Sequence, residues 1–290
     1  MIMTVQSGEN IISVINSSYY NLTAAEKRVA DYINAHTVAA QGLSISELAA
    51  AAGVAEATIS RFSKRLGYDG FSDMKLAIAR SESAGEDSYS SVLGDITEKD
   101  GFEDVCKKVC ATDVRAITDT FSLLSEKDIK AAADLMEQAS VIISMGQGGS
   151  MVLAEEAAHL FATAGCNIYA VSDSHTQAIR AATMKKDGLI LFFSYSGATI
   201  EAMQTLKAAK ERGVKILLIT KFPNSPAAAL ADTVLLCGSN ESPLQLGSAA
   251  AKIAQIFLMD VLFSELCMRN LPACRHVREK IADTLADKNV

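Results

Sequence analysis

The residues best suited to chemistry lie in two short runs of small and hydroxyl-bearing side chains, GQGGS at Gly146 to Ser150 and SYSGAT at Ser194 to Thr199. Each follows an apolar run and precedes a helical one. Glycines let a backbone close on a ligand, and hydroxyls donate hydrogen bonds. The next helix N-terminus adds free N–H groups and the positive end of its dipole. That combination is a phosphate cradle. A lone Gly-rich turn is commonly a simple chain reversal, but two such loops with the same surroundings ask for a shared ligand.

Other chemistries fit less well. Gly146, Gly148 and Asp173 match part of a dinucleotide fingerprint, but Met151 fills the third glycine position, where its bulk opposes close packing over a pyrophosphate. Aldose–ketose isomerisation needs a base near C1 and C2, and Glu155, Glu156, Glu201 and Glu241 are available. Glu155 and Glu156 are consecutive on one helix, so at most one of them faces a ligand. Cys106 and Cys110 are neighbours on a helix face and could share a metal, but no His or third Cys lies near them, so packing is their default role. No metal and no cofactor is expected.

The elements that position the two loops follow from apolar patterning. VIISMG (141–146), NIYAV (167–171), LILFFS (189–194), KILLIT (215–220) and TVLLC (233–237) are continuous apolar runs separated by helical stretches. This predicts an α/β doubly wound domain with a five-stranded parallel sheet. If its order is 2-1-3-4-5, the crevice opens between strands one and three, where GQGGS and SYSGAT meet.

The N-terminal part predicts an all-α domain. Thr23 to Glu26 and Ser44 to Glu47 fit the capping box, so helices should begin near Ala24 and Ile45. In SISELAAAAGVAEATISRFSKRLGY, Ala49 would sit at a close helix crossing, Gly53 would allow the turn, and Ile59 would plug the core with Leu48, Val54 and Phe62. That is a helix-turn-helix whose second helix, Ala55 to Leu66, would enter a DNA major groove. Glu56, Ala57, Ser60 and Arg61 are the candidates to face bases, and Thr58, Lys64 and Arg65 to contact phosphates. An ordinary helical hairpin with a solvated charged face is the alternative.

Charge separates the two parts. The chain of 290 residues carries a net charge of −7, yet residues 1–80 hold seven Lys/Arg and seven Asp/Glu, so the whole deficit falls beyond them. Within 58–80, Arg61, Lys64, Arg65, Lys75 and Arg80 outnumber Asp69 and Asp73. Local positive charge serves phosphate contacts, and an acidic remainder keeps DNA away from the rest. Residues 81–91 (SESAGEDSYSS) are small and polar and read as a linker; 102–124 reads as a connecting helix. The expected division is therefore 1–80, 81–124, 125–268 and a solvated helical tail at 269–290. No apolar run is long enough for a membrane span, the start lacks a signal-peptide pattern, and the six cysteines show no C-x-x-C spacing. A cytoplasmic protein with reduced thiols and no membrane partner is expected.

From Leu22 through Lys75, above all in GYDGFSDMKLA after the second helix, the sequence resembles the N-terminal domain of RpiR-type transcriptional regulators. Ala55 stands where that family usually has a Ser cap. The GxGxS and SxSGxT pair, across roughly 125–265, resembles the sugar isomerase (SIS) domain of phosphosugar isomerases and RpiR-type sensors. The resemblance implies operator DNA and a phosphorylated sugar effector as partners. It implies that Ser150, Ser194, Ser196 and Thr199 hold the phosphate, with Gly148 and Gly197 in the same loops. It brings His175 and Lys252 toward the sugar, although the family more often has Arg at the second position; His175 could instead cap a helix and Lys252 could be a surface residue. Ala198 replaces the Glu that often follows SxSG in the isomerases, which favours binding without turnover. A dimer or tetramer is expected, because one recognition helix reads too few base pairs. The helices at 102–124 and 247–268 are its candidate surfaces.

Overall fold

A computed structural model describes residues 11–83, 96–238 and 248–286. The predicted linker falls largely outside them, as do Glu241 and the last four residues of the tail. The described residues form two compact units, one within 1–112 plus 240–248 and the other within 113–239 plus 249–290.

The first unit is helical. It contains α1 (Ile11–Ser18), α2 (Ala24–Ala35), α3 (Thr37–Gly42), α4 (Ile45–Ala51), α5 (Glu56–Arg65) and α6 (Phe71–Ser83). Both capping boxes form: the Thr23 hydroxyl accepts from the Glu26 N–H while the Glu26 carboxylate accepts from Thr23, and Ser44 and Glu47 do the same. Helices α2 and α4 therefore start at Ala24 and Ile45, where the local pattern placed them. Leu48, Ile59, Phe62, Leu66, Met74 and Ile78 are wholly buried in one core, each contributing roughly 1.5–3 kcal/mol.

The second unit is a doubly wound α/β domain. After α7 (Phe102–Leu123), inside which the division falls, come α8 (Glu126–Gln138), β1 (Ile142–Gly146), α9 (Gly149–Ala162), β2 (Ile168–Ala170), α10 (Ser174–Thr183) and β3 (Leu189–Phe193). They are followed by α11 (Ile200–Glu211), β4 (Lys215–Thr220), β5 (Thr233–Leu236), α12 (Ala249–Arg269) and α13 (Leu271–Ala286). All strand pairs are parallel and the order is β2-β1-β3-β4-β5. Alternate residues divide between two cores: Ile142, Leu191, Phe193 and Leu217 pack with Met136, Phe161 and Leu262, and Ile143, Met145, Phe192 and Leu218 pack with Ala181 and Leu206. Burial on both faces is why these strands are apolar runs and not alternating ones.

Helix α12 is locked to α8 by one side chain. Arg269 donates to Glu265 at 3.0 Å, to Asp134 at 2.6 Å, to Glu137 at 2.8 Å and to the Lys130 carbonyl at 3.1 Å. The predicted solvated tail forms α13, which is mostly exposed but anchored: Cys274 is buried with its thiol 2.8 Å from Cys267 Sγ, and Arg278 stacks 5.1 Å over the Phe263 ring. Among the described residues no helix is long and apolar enough to cross a membrane.

Candidate functional site

Two candidate sites emerge, one in each unit. In the helical unit α4 and α5 form the predicted pair, with Ala49 buried at their crossing and Gly53 in the turn at φ +64°. Helix α5 buries Ile59, Phe62 and Ser63. Its outer surface exposes Glu56, Ala57, Arg61 and Lys64, with Ser60 half-buried. Ala55 occupies the N-cap with extended backbone and no side-chain cap, and its carbonyl accepts from the Thr58 N–H at 2.8 Å, so no side chain satisfies the first N–H groups of α5. Glu56 accepts from the Ser46 hydroxyl of α4 and sits in the first turn of α5.

Two of the predicted phosphate contacts differ from expectation. Thr58 is buried, 7% exposed, and its hydroxyl accepts from Arg61 at 3.3 Å, so its side chain belongs to the interior and not to the outward face. Arg65 turns back onto α2: its Nε lies 3.0 Å from Glu26 Oε1 and its Nη1 donates to the Asn21 carbonyl at 3.0 Å. The sequence expectation had not used Arg28, which donates to the Gly53 carbonyl at 3.1 Å and fixes the turn from α2.

In the α/β unit the two small-residue loops leave adjacent strands. Gly146 of β1 is in register with Phe193 of β3, so GQGGS and SYSGAT emerge side by side. At Gly146 a Cβ would lie 2.6 Å from the Ser150 carbonyl oxygen; only glycine lets the first turn of α9 come this close to the strand. Gly197 has φ +60° and is pressed against Ser225, whose Oγ would be 2.1 Å from an added Cβ. The loop is further held by the Ala227 N–H on the Gly197 carbonyl at 2.9 Å and by the Thr220 hydroxyl on the Tyr195 carbonyl at 3.1 Å.

The hydroxyls are unequally placed. Ser194 is 5% exposed, and its Oγ accepts from the Gly197 N–H at 3.2 Å, so it shapes the loop from beneath. Ser196 is half-buried and accepts from the Ala198 N–H at 3.3 Å; Ser150 is half-buried in the first turn of α9. Thr199 is exposed at the N-cap of α11 and makes no capping bond. Gly148, at φ +54°, is the N-cap of α9 and can offer no side chain. By contrast α2, α4, α8 and α10 are capped by Thr23, Ser44, Ser125 and Asp173. Neither helix that begins over the crevice has a side-chain cap; at α9 the Ser150 and Met151 N–H groups donate to the Gln147 and Gly148 carbonyls at 3.1 and 3.0 Å, so these starts offer an anion mainly their positive dipole ends and the loop hydroxyls.

His175 is exposed in the first turn of α10 and does not cap it; Asp173 does, accepting from the Thr176 N–H and hydroxyl at 2.7 Å each. Those two bonds hold the Asp173 carboxyl below the ordinary range. Lys252 is half-buried in the first turn of α12. Of the carboxylates, Glu155, Glu156 and Glu201 are all exposed.

Comparison with known proteins decides the family. Residues 9–85 match the model of the helix-turn-helix domain of the rpiR family. A helix-turn-helix-type transcriptional regulator of Caldanaerobacter subterraneus subsp. tengcongensis is 32% identical over 254 residues, covering 88% of this chain and 89% of the relative. The chain belongs to the rpiR family of transcriptional regulators. Its α/β unit is a SIS domain, matched over residues 135–265. The RpiR regulator of Escherichia coli K12 is 28% identical over 265 residues, 91% of this chain and 88% of that protein. The Vibrio vulnificus NanR protein complexed with ManNAc-6P superposes with a TM-score of 0.86 at 25% identity, covering 97% of this chain and all of that one.

For an rpiR-family regulator, the sequence expectation also missed what orders the GQGGS loop. Gln177 on α10 is wholly buried; its amide donates to the Gly146 carbonyl at 3.0 Å and the Val171 carbonyl at 2.7 Å, and its Oε1 accepts from Gln147 Nε2 at 2.7 Å. The signal was present. Gln177, Ala181 and Met184 form the buried stripe of α10 and its end, and a glutamine in an apolar stripe needs partners.

Proposed function

We propose that this regulator reads operator DNA with α5 and that a phosphorylated sugar, held over the C-terminal ends of β1 and β3, sets its DNA affinity. One observation carries the reading: the loops that lead into α9 and α11, both without side-chain caps, leave the adjacent strands β1 and β3 and supply Ser150, Ser196 and Thr199. Gly148 and Gly197 hold the backbone turns, and Ser194 supports the second loop. The phosphate sits at the two helix starts, and His175 and Lys252 face the sugar. The similarity to NanR, whose complex holds ManNAc-6P, supports an amino-sugar phosphate.

The DNA surface consists of Glu56, Ala57, Ser60, Arg61 and Lys64, with the uncapped start of α5 open to a backbone phosphate. Thr58 supports it from within, and Arg65, half exposed beside it, is held by Glu26 and the Asn21 carbonyl. Residues 1–80 form the reader, 81–124 the connection, 125–268 the sensor and 269–290 the tail. The SIS domain senses without turnover: Ala198 offers no acid or base, and Glu155, Glu156 and Glu201 sit on exposed helix surface. The protein works in the cytoplasm as a homo-oligomer, so that paired α5 helices meet a two-fold operator.

A thermal-shift screen against sugar phosphates tests the sensor. A ligand at 100 times its dissociation constant stabilises its domain by ~2.7 kcal/mol. The reading expects an amino-sugar 6-phosphate to do this and the unphosphorylated sugar not to; equal shifts from both would refute it.

A further inference from the structure

The buried amide of Gln177 fixes more than the loop backbone. Both partners of its Nε2, the Gly146 and Val171 carbonyls, can only accept, so the amide cannot be turned over. Its Oε1 is then the group presented to Gln147, and Gln147 must donate with its own Nε2, at 2.7 Å. The orientation of Gln147 follows: its Oε1 points away from Gln177. That oxygen makes no hydrogen bond among the described residues and is not buried. It is a pre-oriented acceptor on a half-buried side chain, beside the start of α9 and linked to the helix that carries His175.

An acceptor repels a phosphate and welcomes a hydroxyl or an amide N–H. We infer that Gln147 is a specificity-determining residue of the effector site, with its Oε1 accepting a hydrogen bond from a sugar hydroxyl or N-acetyl N–H, and that Gln177 is the positioning residue that sets its orientation. The inference rests on the phosphosugar reading above and adds which side chain reads the sugar. Two acceptor-only carbonyls, one buried amide and one half-exposed amide form a chain in which each orientation dictates the next. Ser150, Ser196 and Thr199 hold the charge; Gln147 discriminates among its carriers.

Calorimetric titration of the full chain separates the two roles. The probes are inorganic phosphate and the 6-phosphates of glucose, N-acetylglucosamine and N-acetylmannosamine. Loss of one neutral hydrogen bond predicts that Gln147→Met binds the tightest sugar phosphate about three- to tenfold more weakly, with inorganic phosphate unchanged within twofold. Gln177→Leu should weaken both probes, because the loop itself loosens. If Gln177→Leu does not fold, Gln147→Met and Gln147→Ala still decide. Equal losses for inorganic phosphate and sugar phosphate in the Gln147 variants would reduce the residue to a structural prop and overturn the inference, as would no loss for either. Wild-type protein that binds neither probe would overturn the phosphosugar reading itself.

Discussion

Glu26 and Arg65 meet across 3.0 Å between α2 and α5, with the carboxylate 4% exposed and the guanidinium about half open to solvent. The same carboxylate closes the capping box of α2 through its other oxygen. One buried acid thus ties the start of α2 to the end of α5. Arg65→Ala leaves that acid without its counter-charge. Breaking a wholly buried pair costs about 3–5 kcal/mol, and the half-exposed arginine reduces this to about 1–3 kcal/mol. Adding Glu26→Gln should restore part of the loss, since Gln keeps the capping box without the charge. Urea unfolding of the three proteins checks this; an Arg65→Ala protein as stable as wild type would make Arg65 a surface residue free for DNA.

Ala55→Ser should stabilise the helical unit by about 1 kcal/mol. Position 55 already has the extended backbone of an N-cap, φ −79° and ψ 151°, and lacks only an acceptor. A rise in the thermal midpoint of that unit is the expected result. DNA affinity is the informative second measurement, because a Ser that satisfies the helix N–H groups from within competes with a backbone phosphate for them.

Gly197→Ala should cripple the SYSGAT loop. The new methyl would meet Ser225, and the residue would have to keep φ +60°. Removing the obstacle with Ser225→Gly relieves the clash but not the backbone strain, so the double variant should recover only partly. Gly146→Ala has no such remedy, because its obstacle is the Ser150 backbone. Thermal midpoints rank the three, with Gly146→Ala or Gly197→Ala lowest and the double variant between them and wild type.

Acid should loosen the α/β unit at Asp232. Burial, its largest single influence, pushes this carboxyl up, but the Lys215 hydrogen bond, the Ile216 N–H and the charge of Lys210 outweigh it and hold it below the ordinary range. A depressed carboxyl contributes stability that is present above its unfolded value and lost as pH falls through the folded one. Asp232→Asn should therefore lower stability near neutrality and flatten its dependence between about pH 5 and pH 3. Urea midpoints across that range measure it; parallel pH curves for both proteins would contradict the assignment.

What could be read from sequence was local or periodic. Thr23 and Ser44 marked helix starts because a capping box closes within four residues. The five strands were visible because burial on both faces makes them unbroken apolar runs; their order entered only as a condition, under which the two loops would meet. The partners of Arg65 and Thr58 were not legible, because helical position alone does not say that Glu26, 39 residues away, lies buried against a guanidinium or that Thr58 turns inward. Gln177 was passed over although its place in an apolar stripe announced it; its partners come from the ends of two strands and were legible only in three dimensions. The unequal burial of Ser194, Ser196 and Thr199 is likewise a property of the packed loop, not of the letters SYSGAT.

The most direct test of an effector-controlled DNA reader is a fluorescence anisotropy titration of a labelled operator, selected by the protein from random duplexes, with and without the tightest sugar phosphate. Wild type should change its operator affinity by about 5- to 150-fold on adding the effector. Ser196→Ala combined with Thr199→Ala, which removes the two hydroxyls least committed to the loop itself, should bind the operator as wild type does without effector and should not respond to it. Arg61→Ala should lose affinity in both conditions. An operator affinity that the sugar phosphate leaves unchanged in wild type, or a double variant that responds at the wild-type effector concentration, would contradict the account.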